Sequence, residues 1–512
     1  MRKPPGAFEI RETDLLGRIG RLHTKTGTVE TPAFFPVIDV YRQEVPPEDL
    51  YRAGFEQAIT NAYLTLRRFG EEAVEKGIHG ITGFNGVIMT DSGAYQILEY
   101  GDIGVTQEEI IEYQKRIGSD IAVILDVPTS DTKRDSVIAS VEKTLQRARE
   151  ALPLIKDSEQ AWVLPVQGAA YQDVLEESAK RSLPLTEHYQ ILGLGGLTVF
   201  METYDYLTVA RALITARRIL PLGKPLHLFG AGHPLIITLA IALGADTFDS
   251  ASYILYARDD RYITEYGVER LDRLEYLPCN CPVCSKYTPK DLLEMDKEER
   301  TRLLALHNLY AIRKAIQRAK QAIKEGRLWE LLEEIAHRHP AVYEAFQILH
   351  DHRRFIEQGS PTSKGVVRGL KLYGPESIWH PKITRYRRKI ENYLAGRRAS
   401  KIILEPYPSD PSQCRPKYNN NVILLYYTPY LGVVPSELCG VYPTIHFNYP
   451  RRRIPLPVVA EAVDYVARLI HKYYSGSQVE IESVEGEGWT TQFNRLLRER
   501  LQSERRESSG YI

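Results

Sequence analysis

The chain has 512 residues, enough for more than one domain, and its 43% hydrophobic and 26% charged content is ordinary for a globular protein. Lysine plus arginine equals aspartate plus glutamate at 66 each, so net charge points to no anionic partner and charge must be read locally. No apolar run approaches the roughly 20 residues of a membrane-spanning helix, Met1–Glu9 lacks the apolar core of a signal peptide, and five cysteines are too few for a disulfide framework; a reducing cytoplasm is the expected compartment, with Cys414 and Cys439 as thiols.

From residue 32 to residue 250 short apolar runs alternate with longer amphipathic ones. The runs are Pro32–Ile38, Gln57–Thr60, Gly86–Thr90, Ile121–Leu125, Ala161–Val166, Tyr189–Gly193, Pro225–Phe229 and Asp246–Phe248. Most are apolar throughout and bounded by glycine, proline or polar residues, the pattern of strands buried on both faces in a parallel sheet. Helical patterns such as Gln107–Ile117 and Tyr171–Arg181 lie between them. Eight such units predict an α/β fold, a (β/α)8 TIM barrel. A doubly wound open sheet fits the same pattern.

In a barrel, chemistry sits where strands end at the C-terminal face. Those positions are Asn61, Asp91-Ser92, Asp126, Gln167-Gly168, Gly193 to Gly196, Gly230 and Asp249. A surface carboxylate is usually a solvated charge or a helix N-cap. Here three aspartates each directly follow an apolar run and converge on one mouth.

Cys279, Cys281 and Cys284 fall within six residues, and His307 follows 23 positions after the last. Three thiolates and one imidazole complete a tetrahedral zinc set, one ion per chain. A closed four-ligand site leaves no position for water, so the zinc is expected to be structural. The plain alternative is three reduced, idle cysteines in a turn. The stretch Arg302–Ala336 reads as helical, with Leu304, His307 and Ala311 on one face.

Composition shifts after about residue 345, so the expected division is 1–345 and 346–512. Between His380 and Lys401 stand Lys382, Arg385, Arg387, Arg388, Lys389, Arg397, Arg398 and Lys401, with Glu391 the only acid and Tyr386 and Tyr393 interleaved. A second run, Arg451-Arg452-Arg453, follows further aromatic residues. Such a run is either a solvated face or a surface for a phosphate backbone. Val422–Tyr427 reads as a strand and Val458–Tyr474 as a helix, which predicts one or two small α+β domains, and the charged end Arg498–Ile512 reads as frayed.

These residues resemble the tRNA-guanine transglycosylases. The resemblance lies in Asp91-Ser92-Gly93-Ala94-Tyr95-Gln96, Val166-Gln167-Gly168, Gly193-Leu194-Gly195-Gly196-Leu197, Phe229-Gly230-Ala231-Gly232, Phe248-Asp249-Ser250 and the Cys-x-Cys-x-x-Cys plus His set, in order across roughly residues 5 to 345. Each motif alone is weak and the set is specific. The long C-terminal extension is similar to the archaeal branch, which acts on guanine 15 in the tRNA D-arm.

The resemblance implies roles residue by residue. Asp249 would be the nucleophile that holds ribose C1′ while the old base leaves, and Asp91 would take the proton from the incoming base. Asp126 would accept hydrogen bonds from the guanine-like base, with Ser92 beside it. Gln167 and the backbone of Gly195 and Gly196 would read its carbonyl, and Tyr95 and Phe229 would sandwich its ring. The incoming base would be 7-cyano-7-deazaguanine, in archaeosine formation, and the assembly a homodimer near the zinc region. Ala94-Tyr95 departs from the family's usual phenylalanine but keeps a stacking ring. Full-length archaeal members usually carry a further PUA-type RNA-binding domain; this sequence ends at Ile512 apparently before it, so that domain is expected to be absent or supplied by a separate polypeptide. Three rivals are an archaeosine synthase-like paralogue, a non-catalytic tRNA-binding partner subunit, and a barrel glycosidase with paired carboxylates. The first should have lost the carboxylates at Asp91 and Asp249, the second should lack one of them, and the third needs neither the cysteines nor the basic tail.

Overall fold

The eight apolar runs are eight parallel strands of one sheet in the computed structural model: β1 (Ala33–Pro36), β2 (Gln57–Asn61), β3 (Val87–Asp91), β4 (Ile121–Val123), β5 (Ala161–Val166), β6 (Ile191–Leu194), β7 (Leu226–Leu228) and β8 (Thr247–Ser250). The described residues are 3–94, 104–129, 132–361, 364, 368–415, 418–419, 421–482 and 488–509. Strand order is β1-β8-β7-β6-β5-β4-β3-β2. A parallel bridge between Val37 and Ile59, with the Ile38 N–H donating to the Ile59 carbonyl at 2.8 Å, joins β1 to β2 and closes the barrel. Closure removes the open-sheet alternative.

The strands are mostly apolar because all but a few of their residues, at the ends of β2, β3 and β8, are buried. All six residues of β5 are buried. Val87, Met89, Ile121, Val123, Ala161, Val163 and Ile191 fill the interior with Phe35 and Ile59. A three-stranded antiparallel sheet (Phe8–Asp14, Gly17–His23, Thr28–Thr31) adds Leu22 and Val29 to this cluster and plugs the N-terminal end. The helix Pro234–Ala242 is buried on every side, as its uniformly apolar sequence requires.

The chain divides into two units, Met1–Ile348 with Gly359–Pro361, and Leu349–Gln358 with Thr362–Ile512. The stretch predicted as continuous helix over Arg302–Ala336 is two helices, Lys297–Glu325 and Leu328–Ala336. Gly326 ends the first in the left-handed conformation, at φ 70°, and accepts no side chain without strain.

In the second unit a mixed sheet holds Lys401–Pro406 between two parallel neighbours, Val422–Thr428 and Gln478–Ile481. Helices Pro381–Ala395, Leu456–Tyr474 and Gly488–Ser509 belong to this unit. Residues read as frayed are in part helical: the last helix runs to Ser509, anchored by Trp489, Phe493 and Leu497, which are buried in the unit's core at helical spacing. Cys414 and Cys439 form a disulfide with Cα atoms 6.3 Å apart, correcting the expectation of two thiols. The residues are 25 positions apart, and only tertiary packing brings them within bridging distance.

Candidate active site and metal centre

Asp249 is the third residue of β8, and its carboxylate is 15% exposed. Its Oδ1 accepts from His227 Nε2 at 3.0 Å and from the Gly230 N–H at 3.1 Å. Asp91 ends β3 in register with Asn61, which ends β2. Its Oδ2 accepts from Asn61 Nδ2 and from the Gly93 N–H, both at 3.2 Å. Burial pushes the Asp91 carboxyl up to about 6, and the negative charge of Asp249 adds to this.

Asp126 lies just beyond β4 and is buried; its Oδ2 accepts from Gln167 Nε2 at 2.6 Å. Burial, then the charge of Asp91, raises it to about 7. The loop around it is tied to the helix Arg134–Glu150. Arg147 donates to the Asp126 carbonyl at 3.0 Å, and Thr144 accepts from the Val127 N–H at 3.1 Å. Gln167 can reach Asp126 because Gly195 has no side chain: a Cβ there would meet the Gln167 amide at 2.5 Å. Gly196 follows with φ +74°.

Ser92 is fully buried, and its hydroxyl has no hydrogen-bond partner among the described residues. Phe229 packs edge-on against His227, centroids 4.5 Å apart at 70°. Tyr95 lies outside the described residues. Asp91, Asp126, Asp249, Gln167, Gly195, Gly196 and Phe229 thus lie at or just beyond the C-terminal ends of successive barrel strands, at one face. No lysine or arginine is ion-paired with any of the three carboxylates among the described residues.

Sequence reasoning missed His227. The signal was present: a single polar residue between Leu226 and Leu228, on the face of β7 opposite theirs. Arg147 was also missed, and one helical arginine among many carries no such signal.

The ligand atoms of Cys279, Cys281, Cys284 and His307 all lie within 4.8 Å of one another. His307 Nδ1 is 3.2 Å from the Cys284 sulfur and 3.5 Å from that of Cys281. Its Nε2 donates to the Ile263 carbonyl at 2.9 Å, which leaves the Nδ1 lone pair facing the sulfurs. The Tyr262 ring stacks on the imidazole at 3.7 Å and 12°, and its hydroxyl lies 3.3 Å from the Cys284 sulfur. A buried imidazole aimed at three sulfurs fits a tetrahedral metal ion.

The basic segment is mostly committed to its own fold. Arg387 pairs with Glu461 at 2.5 and 2.8 Å, donates to the Tyr430 carbonyl at 2.7 Å and stacks on Tyr465 at 4.6 Å. Arg385 pairs with the buried Glu357, and Arg397 with Glu437 at 2.6 Å. Arg388 and Lys389 are exposed, as are Arg451, Arg452 and Arg453.

No helix among the described residues is long and apolar enough to cross a membrane. A family model described as queuine tRNA-ribosyltransferase matches residues 14–341. A protein of Aeropyrum pernix named tRNA-guanine(15) transglycosylase is 53% identical, over 90% of this chain and 91% of its own. Proteins of the same name from Sulfolobus acidocaldarius and Pyrococcus abyssi are 42% and 44% identical, over 87% and 75% of this chain and 89% and 65% of theirs. With its barrel, its ring of strand-end motifs and these likenesses, the chain belongs to the tRNA-guanine transglycosylase family and is a transferase.

Proposed function

We propose that the chain exchanges guanine at position 15 of the tRNA D-arm for 7-cyano-7-deazaguanine, through a covalent glycosyl-enzyme intermediate in archaeosine formation. One observation carries this reading: Asp91, lifted to about 6, shares a mouth with a second carboxylate, Asp249, whose donors among the described residues are two N–H groups. Two carboxylates in different environments divide acid–base work from nucleophilic work. Asp249 attacks C1′ as the bond to guanine breaks, and protonated Asp91 gives the leaving base its proton. The incoming base then attacks C1′, displaces Asp249 and returns its proton to Asp91.

Ionised Asp126 accepts from the base's ring and amino N–H groups. Gln167 and the Gly195 and Gly196 backbone read its carbonyl. Phe229 and Tyr95 face its ring, and the buried Ser92 hydroxyl, without a partner among the described residues, has a polar edge to bind. Cys279, Cys281, Cys284 and His307 hold one zinc ion, which supports the fold and takes no part in base exchange. Cys281→Ala should lower metal content and melting temperature together; lost exchange with both unchanged would overturn the structural role.

We further propose residues 1–345 as the catalytic domain and 346–512 as a tRNA-gripping region, in a cytoplasmic homodimer, with a separate PUA-domain protein as a further partner. Sedimentation, with and without such a protein, tests the assembly. The reaction is tested with labelled 7-cyano-7-deazaguanine and unmodified tRNA. Label should enter at position 15, and a denaturant-resistant protein–tRNA adduct should form when the incoming base is withheld. No incorporation would sink the function; incorporation without an adduct would sink the covalent route.

A further inference from the structure

The Asp249 carboxylate is bonded asymmetrically. Both donors on it, His227 Nε2 and the Gly230 N–H, reach Oδ1, and none reaches Oδ2 among the described residues. Behind His227, its Nδ1 lies 3.0 Å from the Thr247 hydroxyl. One tautomer satisfies both ends of the ring: the Thr247 O–H donates to Nδ1, and Nε2–H donates to Oδ1. The imidazole is fully buried. Phe35 meets it edge-on at 6.3 Å and Phe229 at 4.5 Å, so the ring has no room to turn away. Gly230 turns its N–H onto the same oxygen at φ +75°, where a Cβ would meet the Thr198 hydroxyl at 2.7 Å.

We propose that His227, locked by Thr247, is the positioning residue of the nucleophile: it selects Oδ2 as the attacking oxygen and stabilises the carboxylate as it departs. The inference rests on Asp249 being the nucleophile. In the first half-reaction an Oδ2 lone pair forms the bond to C1′, the C1′–N bond breaks, and its electron pair leaves with guanine, which takes a proton from Asp91. Oδ1 becomes the ester carbonyl oxygen and keeps its two donors. In the second half the incoming base nitrogen bonds C1′ and the C1′–Oδ2 bond breaks. Its electron pair returns to the carboxylate, where the two N–H groups meet the charge on Oδ1, and the base's proton passes to Asp91. His227 transfers no proton. Its donor is aimed at charge that develops only as the ester opens, so the second half-reaction depends on it more than the first.

His227→Phe keeps a ring and removes the donor. We expect kcat to fall about 10²-fold, the loss typical for one such donor, with KM for the incoming base unchanged and KM for tRNA lowered, because the ester is formed as before and released more slowly. During turnover the steady-state fraction of covalent adduct, read on a denaturing gel, should rise because release of the ester is slowed. His227→Gln restores an N–H donor and should recover a large part of kcat. Thr247→Val is nearly isosteric, loses the tautomer lock and should lower kcat about tenfold, the scale of one lost hydrogen bond. Wild-type kcat in His227→Phe, or equal losses in His227→Phe and His227→Gln with a lowered melting temperature and no extra adduct, overturns the proposal. Should both His227 variants fail to fold, Thr247→Val decides: reduced kcat with more adduct and an unchanged KM for the incoming base supports it, and unchanged kcat overturns it. Asp249→Asn is run alongside. Turnover surviving there sinks the nucleophile assignment itself, whereas a dead Asp249→Asn with an unimpaired His227→Phe sinks only the positioning role.

Discussion

At the N-terminal end of the barrel, Asp246 accepts from Arg18, from Arg217 at 2.8 Å and from the Leu226 N–H at 2.8 Å. Asp120, at the same end, accepts from the Thr26 N–H at 2.9 Å and the Ile88 N–H at 3.0 Å, with His79 3.5 Å away. At the opposite end, Asp91, Asp126 and Asp249 have amide and imidazole donors and no lysine or arginine partner among the described residues. Each group at the floor stands one residue before a strand, and each at the mouth lies in the last two residues of one or follows one. The floor carboxylates are saturated and hold the barrel together. The mouth carboxylates, Asp126 buried and Asp91 and Asp249 partly so, have fewer donors among the described residues, which leaves their charge available and makes them costly to the fold.

The largest expected effect separates the two ends by activity. Asp249→Asn keeps the shape of the side chain and should reduce turnover by about 10⁴-fold or more, as loss of a nucleophile typically does. Filter binding of tRNA should be unchanged, and the adduct should vanish. A persisting adduct would return Asp249 to the class of the floor residues.

Asp246→Asn is the converse. It leaves Arg18 and Arg217 buried with no carboxylate between them; burial, then the neighbouring Arg18, already lowers Arg217 to about 9. Removing one partner of a buried ion pair costs about 3–5 kcal/mol. Calorimetry should show a lower melting temperature, with kcat per folded molecule intact well below it. A large kcat loss at normal stability would contradict the division of labour.

How far this contrast could be read in the chain depends on its range. Strands buried on both faces leave an unbroken apolar run, so all eight were visible, and a carboxylate directly after such a run stands out. His227 sits inside a run and is meaningful only because Asp249, on the neighbouring strand, lies 22 positions away. The pairing of the basic segment was out of reach for the same reason. Glu461 and Glu437, which neutralise Arg387 and Arg397, stand 74 and 40 positions off. The break at Gly326 lay in plain view, but isolated glycines also occur inside helices.

A third, smaller effect is the pH response of the two ends. Asp126 and Asp91 have folded pKa values of about 7 and about 6, above the ordinary value of 3.8. The folded state therefore binds more protons than the unfolded one between about pH 4 and 7, and stability falls as pH rises through that window. Asp120 is opposite in sign: burial alone would raise it, the His79, Ile88 and Thr26 bonds outweigh that, and its lowered pKa contributes stability above 3.8 that is lost on acidification. Asp126→Asn should thus raise the melting temperature at pH 8 and leave it nearly unchanged at pH 4. Base recognition runs the other way, because only ionised Asp126 accepts two N–H groups. KM for the incoming base should fall as pH rises towards and past about 7, and the fall should disappear in Asp126→Asn. A melting temperature at pH 8 lowered by this substitution would place Asp126 with the saturated floor.

The smallest effect asks whether the same rule, that bonded charges build and unbonded charges bind, holds in the second unit. Arg387 is spent on Glu461, two carbonyls and the Tyr465 ring. Arg452 and Arg453 are exposed and have no carboxylate partner among the described residues, and Lys389 is exposed on the helix Pro381–Ala395. Each phosphate contact on duplex RNA or DNA contributes about 0.9 to the slope of log affinity against log salt. Replacing Arg452 and Arg453 with alanine should make that slope for tRNA shallower by up to about 1.8, the sum of two such contacts, at an unchanged melting temperature. Arg387→Ala should lower the melting temperature and leave the slope alone. Discrimination between guanine and 7-cyano-7-deazaguanine at saturating tRNA should move in neither, because it is decided at the barrel mouth. A slope that responds to Arg387 and not to Arg452 and Arg453 would mean that bonded arginines leave their partners to meet tRNA, and the rule would then stop at the barrel.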